Sequence, residues 1–381
     1  MRSAYNRSGI GIVALYGIVS VVSGTALGVI IGGAIGILLS NELMFGGIDS
    51  LNPMSFLQFM ETEEYMDFTL LGSTIGSCLG MGVGILIIQK ILPKEVYPIE
   101  RRYLTAKELV VVILSAFGLW ALGALIGNLP SFFRAYTITL ESSNKAVMGF
   151  FCMYAVLGAP ILEELVFRKL LLDRIHPFGE TVAALTSALL FGLFHGNAAQ
   201  FPLAFLFGIV SATVYLKTGR ILYSILLHFM INLTGSVTEI FGLFEIDVTL
   251  GWNIVVLHLL IAGLLVYLLN RKKELFTLKK PRLLDANRQA FKNPGMMIAV
   301  IAGLVLLGGT ELVLFLYALS IGNGVRALVR LIPAAFSVVT VILVIKYAGH
   351  DYEKLPEPET VPGEASELSS EINPQDPSGA V

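Results

Sequence analysis

Ten stretches of this chain are long and apolar enough to lie in lipid. They are residues 10–39, 68–91, 108–129, 146–172, 181–199, 202–217, 221–243, 251–270, 295–320 and 328–348. A helix of about 20 mostly apolar residues crosses the hydrocarbon of a bilayer. Inside that solvent every peptide group must find its partner within the protein, and a helix does so within its own segment. The expected fold is therefore all-α and polytopic, a bundle of about ten transmembrane helices. Composition agrees, since only 14% of the residues are charged and 55% are hydrophobic. Soluble domains carry about a quarter charged residues. The first run is too long for the apolar core of a signal peptide and reads as a retained anchor.

Lys and Arg set the expected orientation. Arg2 and Arg7 precede the first run, and basic connections carry Lys90 to Lys107, Lys169 with Arg174, Lys217 with Arg220, and Arg271 to Lys292. They alternate with acidic or neutral connections, of which Glu42 to Asp67 has no Lys or Arg. This pattern predicts both termini in the cytoplasm of an integral, multi-pass (plasma) membrane protein. Arg326 and Arg330 alone fall on the wrong side. Four segments are expected: a two-helix region at 1–107, a core at 108–243, further membrane helices at 244–348, and a disordered acidic tail at 349–381. That tail holds eight acidic residues against one Lys from Asp351 onward and has too little apolar surface for a core.

Glycines recur every four residues at Gly24, Gly28, Gly32 and Gly36, and again at Gly72, Gly76, Gly80 and Gly84. Such stripes let helices approach closely in lipid. Cys78 and Cys152 both lie in apolar runs, which argues against a disulfide framework or a thiolate metal site. The net charge of −2, with no basic stripe, gives no sign of a nucleic-acid partner.

Against this background a few polar residues stand out. Glu163 and Glu164 sit in PILEELVFRKLL, His195 in SALLFGLFHGN, and His228 with Asn232 in YSILLHFMINLT. An ionisable group near the bilayer centre costs at least ~2.5–3.5 kcal/mol and is a functional candidate by default. Glu163 lies 14 residues before Pro177, and His195 lies 16 after Gly179. At 1.5 Å per residue both stand roughly 20–25 Å from the turn that those two residues mark. His228 stands roughly 12 Å from its own turn at Lys217–Arg220, so the depths agree if the first hairpin projects about 10 Å beyond the membrane. The site is then expected in the cytoplasmic half of the bilayer. Glu164 and Arg168 share a helix face at i,i+4, as do His228 and Asn232, whereas Glu163 is rotated about 100° from Glu164. Phe191, one turn before His195, is placed to wall the site against lipid. Glu311 also falls inside a run, where pairing with Arg330 or Arg326 is the favoured reading.

Glu163-Glu164-x-x-x-Arg168, Phe191-x-x-x-His195 and His228-x-x-x-Asn232 together resemble the three motifs of the CPBP family, the CAAX proteases and bacteriocin-processing enzymes also called Abi membrane proteases. The resemblance covers about residues 108–243. It implies an intramembrane endopeptidase cutting a membrane-associated peptide or protein near the cytoplasmic face. By motif position, Glu163 and His195 would activate water, His228 and Asn232 would stabilise the oxyanion, and Arg168 would anchor Glu164. No cofactor is favoured. Zinc held by Glu163, His195 and His228 is the alternative, resting on ligand type alone because HExxH is absent. Two other classes fit buried Glu and His: a proton-coupled transporter, disfavoured by the lack of an internal repeat, and a non-catalytic scaffold on the same fold.

Overall fold

The computed structural model describes residue 11 and residues 63–92, 96–97, 99–129, 144–278, 294–320 and 324–350. All regular structure among them is helical. In chain order the helices are α1 (Glu63–Ile91), α2 (Ala106–Gly127), α3 (Lys145–Ile175), α4 (Glu180–Phe194), α5 (Phe201–Thr218), α6 (Ile221–Gly235), α7 (Val237–Gly242), α8 (Thr249–Asn270), α9 (Pro294–Ser320) and α10 (Gly324–His350).

Local chemistry sets several of these ends. Thr105 and Glu108 form a capping box at the start of α2, each side chain accepting the other's backbone N–H. Asn144 accepts the N–H groups of Ala146 and Val147 and so opens α3. Gly219 closes α5 in the left-handed conformation, φ 60°. A Cβ there would sit 2.7 Å from the carbonyl oxygen of Ile99, so backbone angle and space both require glycine.

Seven of the described helices are long and apolar enough to cross a membrane, and α4 and α6 are shorter apolar helices. This is the polytopic all-helical architecture expected. Two runs end earlier than their apolarity suggests. The run at 181–199 leaves the helix after Phe194, because Gly196 turns left-handed (φ 65°) and Asn197 folds back onto the carbonyl of His195. The run at 221–243 breaks at Gly235–Ser236 into α6 and the short α7. Apart from Gly11 the run at 10–39 lies outside the described residues, as do Arg2, Arg7, the glycines from Gly24 to Gly36 and the tail beyond His350.

Burial separates the helices that build the site from those that face lipid. The apolar window of α5 is 78% buried, whereas that of α8 is 6% buried. The central helix α5 packs against α2, α4 and α6, and α2 lies between it and α8. Gly118 of α2 meets Gly263 of α8 so closely that a Cβ on Gly118 would fall 2.3 Å from the Gly263 carbonyl carbon. No larger residue fits that crossing, the close approach that glycine allows between helices in lipid. In α1, Gly72 and Gly76 of the stripe are buried, while Gly80 and Gly84 are half-buried. Arg330 is buried and paired with Glu311 at 3.1 Å, so one of the two charges on the wrong side is neutralised inside the protein.

Candidate active site

The site begins with a defect in α3. Regular α-helix is interrupted by π-helical turns at Tyr154–Gly158 and Leu165–Leu170, and the Glu163–Glu164 pair lies in the α-helical turn between them. Pro160 accounts for the first interruption. In the π turn the N–H of Ala159 bonds the carbonyl of Tyr154, five residues back. The next donor in line would be Pro160, which has no N–H. The carbonyl of Ala155 instead accepts the side-chain amide of Asn232 on α6, at 2.7 Å. The second interruption is tied in the same way, since the carbonyl of Phe167 accepts the Ser187 hydroxyl on α4 at 2.8 Å. Single π turns concentrate at functional sites because they free backbone groups and re-aim side chains. Here each is tied to a neighbouring helix.

Glu164 is the fully engaged carboxylate, with no exposed surface. Arg168 approaches it at 2.9 Å, the Ser211 hydroxyl donates to it at 2.8 Å, and Nδ1 of His228 lies 3.0 Å away. Arg168 is satisfied in turn by Ser187 at 2.8 Å and Ser211 at 3.0 Å, with its guanidinium 5.0 Å from the centre of the Phe191 ring. A carboxylate accepts only, so Nδ1 of His228 is the protonated nitrogen and Nε2 faces away from Glu164. Ser187 and Ser211 were not among the sequence candidates. Their only signal was position: Ser187 stands one turn before Phe191, and Ser211 one turn after Phe207.

Glu163 is the contrasting case. It is 8% exposed, and its Oε2 is buried without a hydrogen-bond partner. It lies 3.8 Å from Nε2 of His228, beyond direct hydrogen-bonding distance. Glu163 also lines a cavity of about 180 Å³ with His195, Tyr154, Phe194, Gln200, Ser77 and Met81. The last two come from α1, whose part in the site had no sequence signal.

His195 is oriented by backbone. Its Nδ1 lies 2.8 Å from the carbonyl of Phe191, which can only accept, so Nδ1 carries the proton and Nε2 is left as an acceptor. Phe191 is more than a wall against lipid. It is wholly buried, with its ring edge-on to both His195 (centroids 5.2 Å apart) and His228 (5.5 Å). The structure thus gathers Glu163, Glu164, Arg168, Phe191 and His228 into one contact network, places His195 on the same cavity as Glu163, and ties Asn232 to α3. Among the described residues no three His, Cys, Asp or Glu side chains come together as a metal-holding group, so Glu163, His195 and His228 do not form a ligand set as they stand.

Replacing Asn232 by Ala leaves the Ala155 carbonyl without its donor. Interhelical hydrogen bonds in membrane proteins are worth about 0.6 kcal/mol and up to ~1.7. We expect a thermal or denaturant melt of Asn232→Ala to show a loss in that range, whereas a loss near zero would mean that the tie carries no weight.

Residues 145–234 match the family model described as Type II CAAX prenyl endopeptidase Rce1-like. No curated protein and no solved structure matches the chain. The matched segment opens with α3, closes one residue short of the end of α6, and holds every motif residue from Glu163 to Asn232. The motif-based resemblance and the family model thus agree on residues 145–234, which are similar to CAAX proteases and lie within an integral multi-pass membrane protein.

Proposed function

We propose that this chain is an intramembrane endopeptidase that hydrolyses a peptide bond of a membrane-associated peptide or protein near the cytoplasmic face of the bilayer. The observation that carries this reading is the division of labour between adjacent carboxylates. Glu164 is spent on Arg168, Ser211 and His228, whereas Glu163 lines a cavity shared with His195 and keeps its Oε2 buried without a hydrogen-bond partner. An anion held without hydrogen bonds away from water is expensive, and a protein keeps one where chemistry uses it.

In the proposed reaction a water molecule in the cavity donates one hydrogen bond to Glu163 and the other to Nε2 of His195. Its oxygen attacks the carbonyl carbon of the scissile bond while Glu163 takes its proton, as a general base does. The carbonyl oxygen becomes an oxyanion. Asn232 has a second amide hydrogen beyond the one given to Ala155, and this is the donor assigned to the oxyanion, with the His228 ring one turn earlier on the same helix. The C–N bond then breaks as the leaving amine takes the proton from Glu163. Glu164 acts through His228, holding the ring so that Nε2 faces Glu163.

Zinc bound by Glu163, His195 and His228 would supply a lowered water pKa and a Lewis acid instead. The metal-free route is the one proposed. The deciding experiment is cleavage of a membrane-peptide library by the purified protein in proteoliposomes, with and without a chelator, alongside His195→Ala. We expect cleavage that survives the chelator and is lost in the variant. Loss in chelator with recovery on added zinc would turn Glu163 from base into ligand. A folded wild type that cleaves nothing would overturn the peptidase reading.

A further inference from the structure

His195 does not lie within a helix. It is the first residue of the turn His195–Gln200, and that turn is held from two directions. Internally, the side-chain amide of Asn197 donates to the His195 carbonyl at 2.9 Å and accepts the N–H of Gln200 at 2.9 Å. Externally it rests on α9. Gly303 packs so tightly on Leu193 that a Cβ there would come within 2.8 Å of the Leu193 Cβ. Seven residues on, Thr310 donates its hydroxyl to the Gly196 carbonyl at 3.2 Å, sharing it with the Leu306 carbonyl at 2.9 Å. The next residue, Glu311, interacts with the backbone N–H of Ala198 and is ion-paired with Arg330 of α10 at 3.1 Å. Both partners are buried, as is Ala198.

A buried ion pair is a weak stabiliser, because desolvating two charges offsets most of their attraction and an apolar pair of similar volume does as well. Its better-attested use is to specify one geometry. Here the pair stands directly behind the turn that carries His195, on helices that lie outside residues 145–234. We propose that Thr310, Glu311 and Arg330 form a positioning element for His195, by which α9 and α10 fix the register of its turn and hence the aim of its Nε2 into the cavity. The inference rests on the reading of His195 as a water-activating residue.

The test uses the full-length protein in proteoliposomes. Glu311→Leu with Arg330→Leu removes both charges and the acceptor for Ala198, whereas Glu311→Gln with Arg330→Leu keeps an acceptor. For the double-leucine variant we expect wild-type melting, KM within about twofold and kcat lower by roughly 10- to 100-fold, the usual cost of a displaced catalytic group. His195 should also react faster with diethyl pyrocarbonate, read by peptide mass spectrometry, and the glutamine variant should regain part of kcat. If the double-leucine variant does not fold, Thr310→Val carries the test, with a smaller loss of kcat and the same gain in His195 reactivity. Unchanged kcat and unchanged His195 reactivity, in an assay where His195→Ala is inactive, would overturn the positioning role and leave the peptidase reading standing. An active His195→Ala would instead remove the reading on which the inference rests.

Discussion

Glu163→Gln should lower peptide cleavage by roughly 10²- to 10⁴-fold, the range that a positioned general base supplies. The substitution keeps shape and volume, takes away the charge and the ability to accept a proton, and turns one acceptor oxygen into an amide donor. Its effect on stability should be small and not destabilising, for a reason visible in the fold. The Oε2 of Glu163 has no hydrogen bond to lose and is itself buried. Neutralising a group in that position removes a desolvation cost rather than an interaction. Activity and stability therefore separate, and both are read on one preparation: initial rates on a cleaved membrane peptide, and a thermal melt in the same detergent. Retention of more than about a tenth of wild-type kcat would remove Glu163 from the role of base. A matched loss of stability would mean that the carboxylate is structural after all.

The helical architecture was legible because lipid leaves a chain few options. Apolar runs of sufficient length had to become helices, and the described spans begin and end near the limits read from hydropathy alone. Apolarity does not report where a helix stops, however, and the apolar run through His195 extends five residues past the helix end at Phe194. The stop signal was present in His195-Gly196-Asn197: a glycine free to turn left-handed and an amide able to fold back on the chain. Reading those three residues as a helix end would have placed His195 at the mouth of a turn.

The candidate site was legible through cost. Glu163, Glu164, Arg168, His195, His228 and Asn232 are expensive in lipid, so their mere presence marked them. Depth along the two hairpins brings Glu163 and His228 level only if the first hairpin projects beyond the membrane; in the structure the two side chains lie 3.8 Å apart. Ser187 and Ser211 escaped because a serine in an apolar helix ordinarily satisfies itself on a carbonyl one turn back, and carries no signature when it does otherwise. The role of Pro160 could have been suspected, since a proline inside a helix frees a carbonyl. That the donor would be Asn232, on another helix, required the fold.

The second large effect concerns stability, and it comes from Arg168. Arg168→Leu removes a guanidinium with no exposed surface and leaves Glu164, equally buried, with Ser211 and His228 as its remaining partners. Breaking one side of a buried pair costs about 3–5 kcal/mol, because the remaining charge is stranded. A loss of that size is enough to lower the yield of folded protein. Adding Glu164→Leu removes the stranded charge, and most of the lost stability should return, since apolar pairs of similar volume replace buried ion pairs at little net cost. Activity should not return with it. Glu164 is what Nδ1 of His228 bonds, and without that acceptor the ring is free to rotate or change tautomer, so Nε2 no longer faces Glu163. Loss of such an orienting partner typically costs 10- to 100-fold in function. The melt of the double variant should therefore approach that of wild type while its cleavage rate stays at least about tenfold down. Recovery of both together would make the Glu164–Arg168 pair a structural device alone. Recovery of neither would mean that Ser187, Ser211 and Arg168 hold α3, α4 and α5 together through hydrogen bonds that no apolar pair replaces.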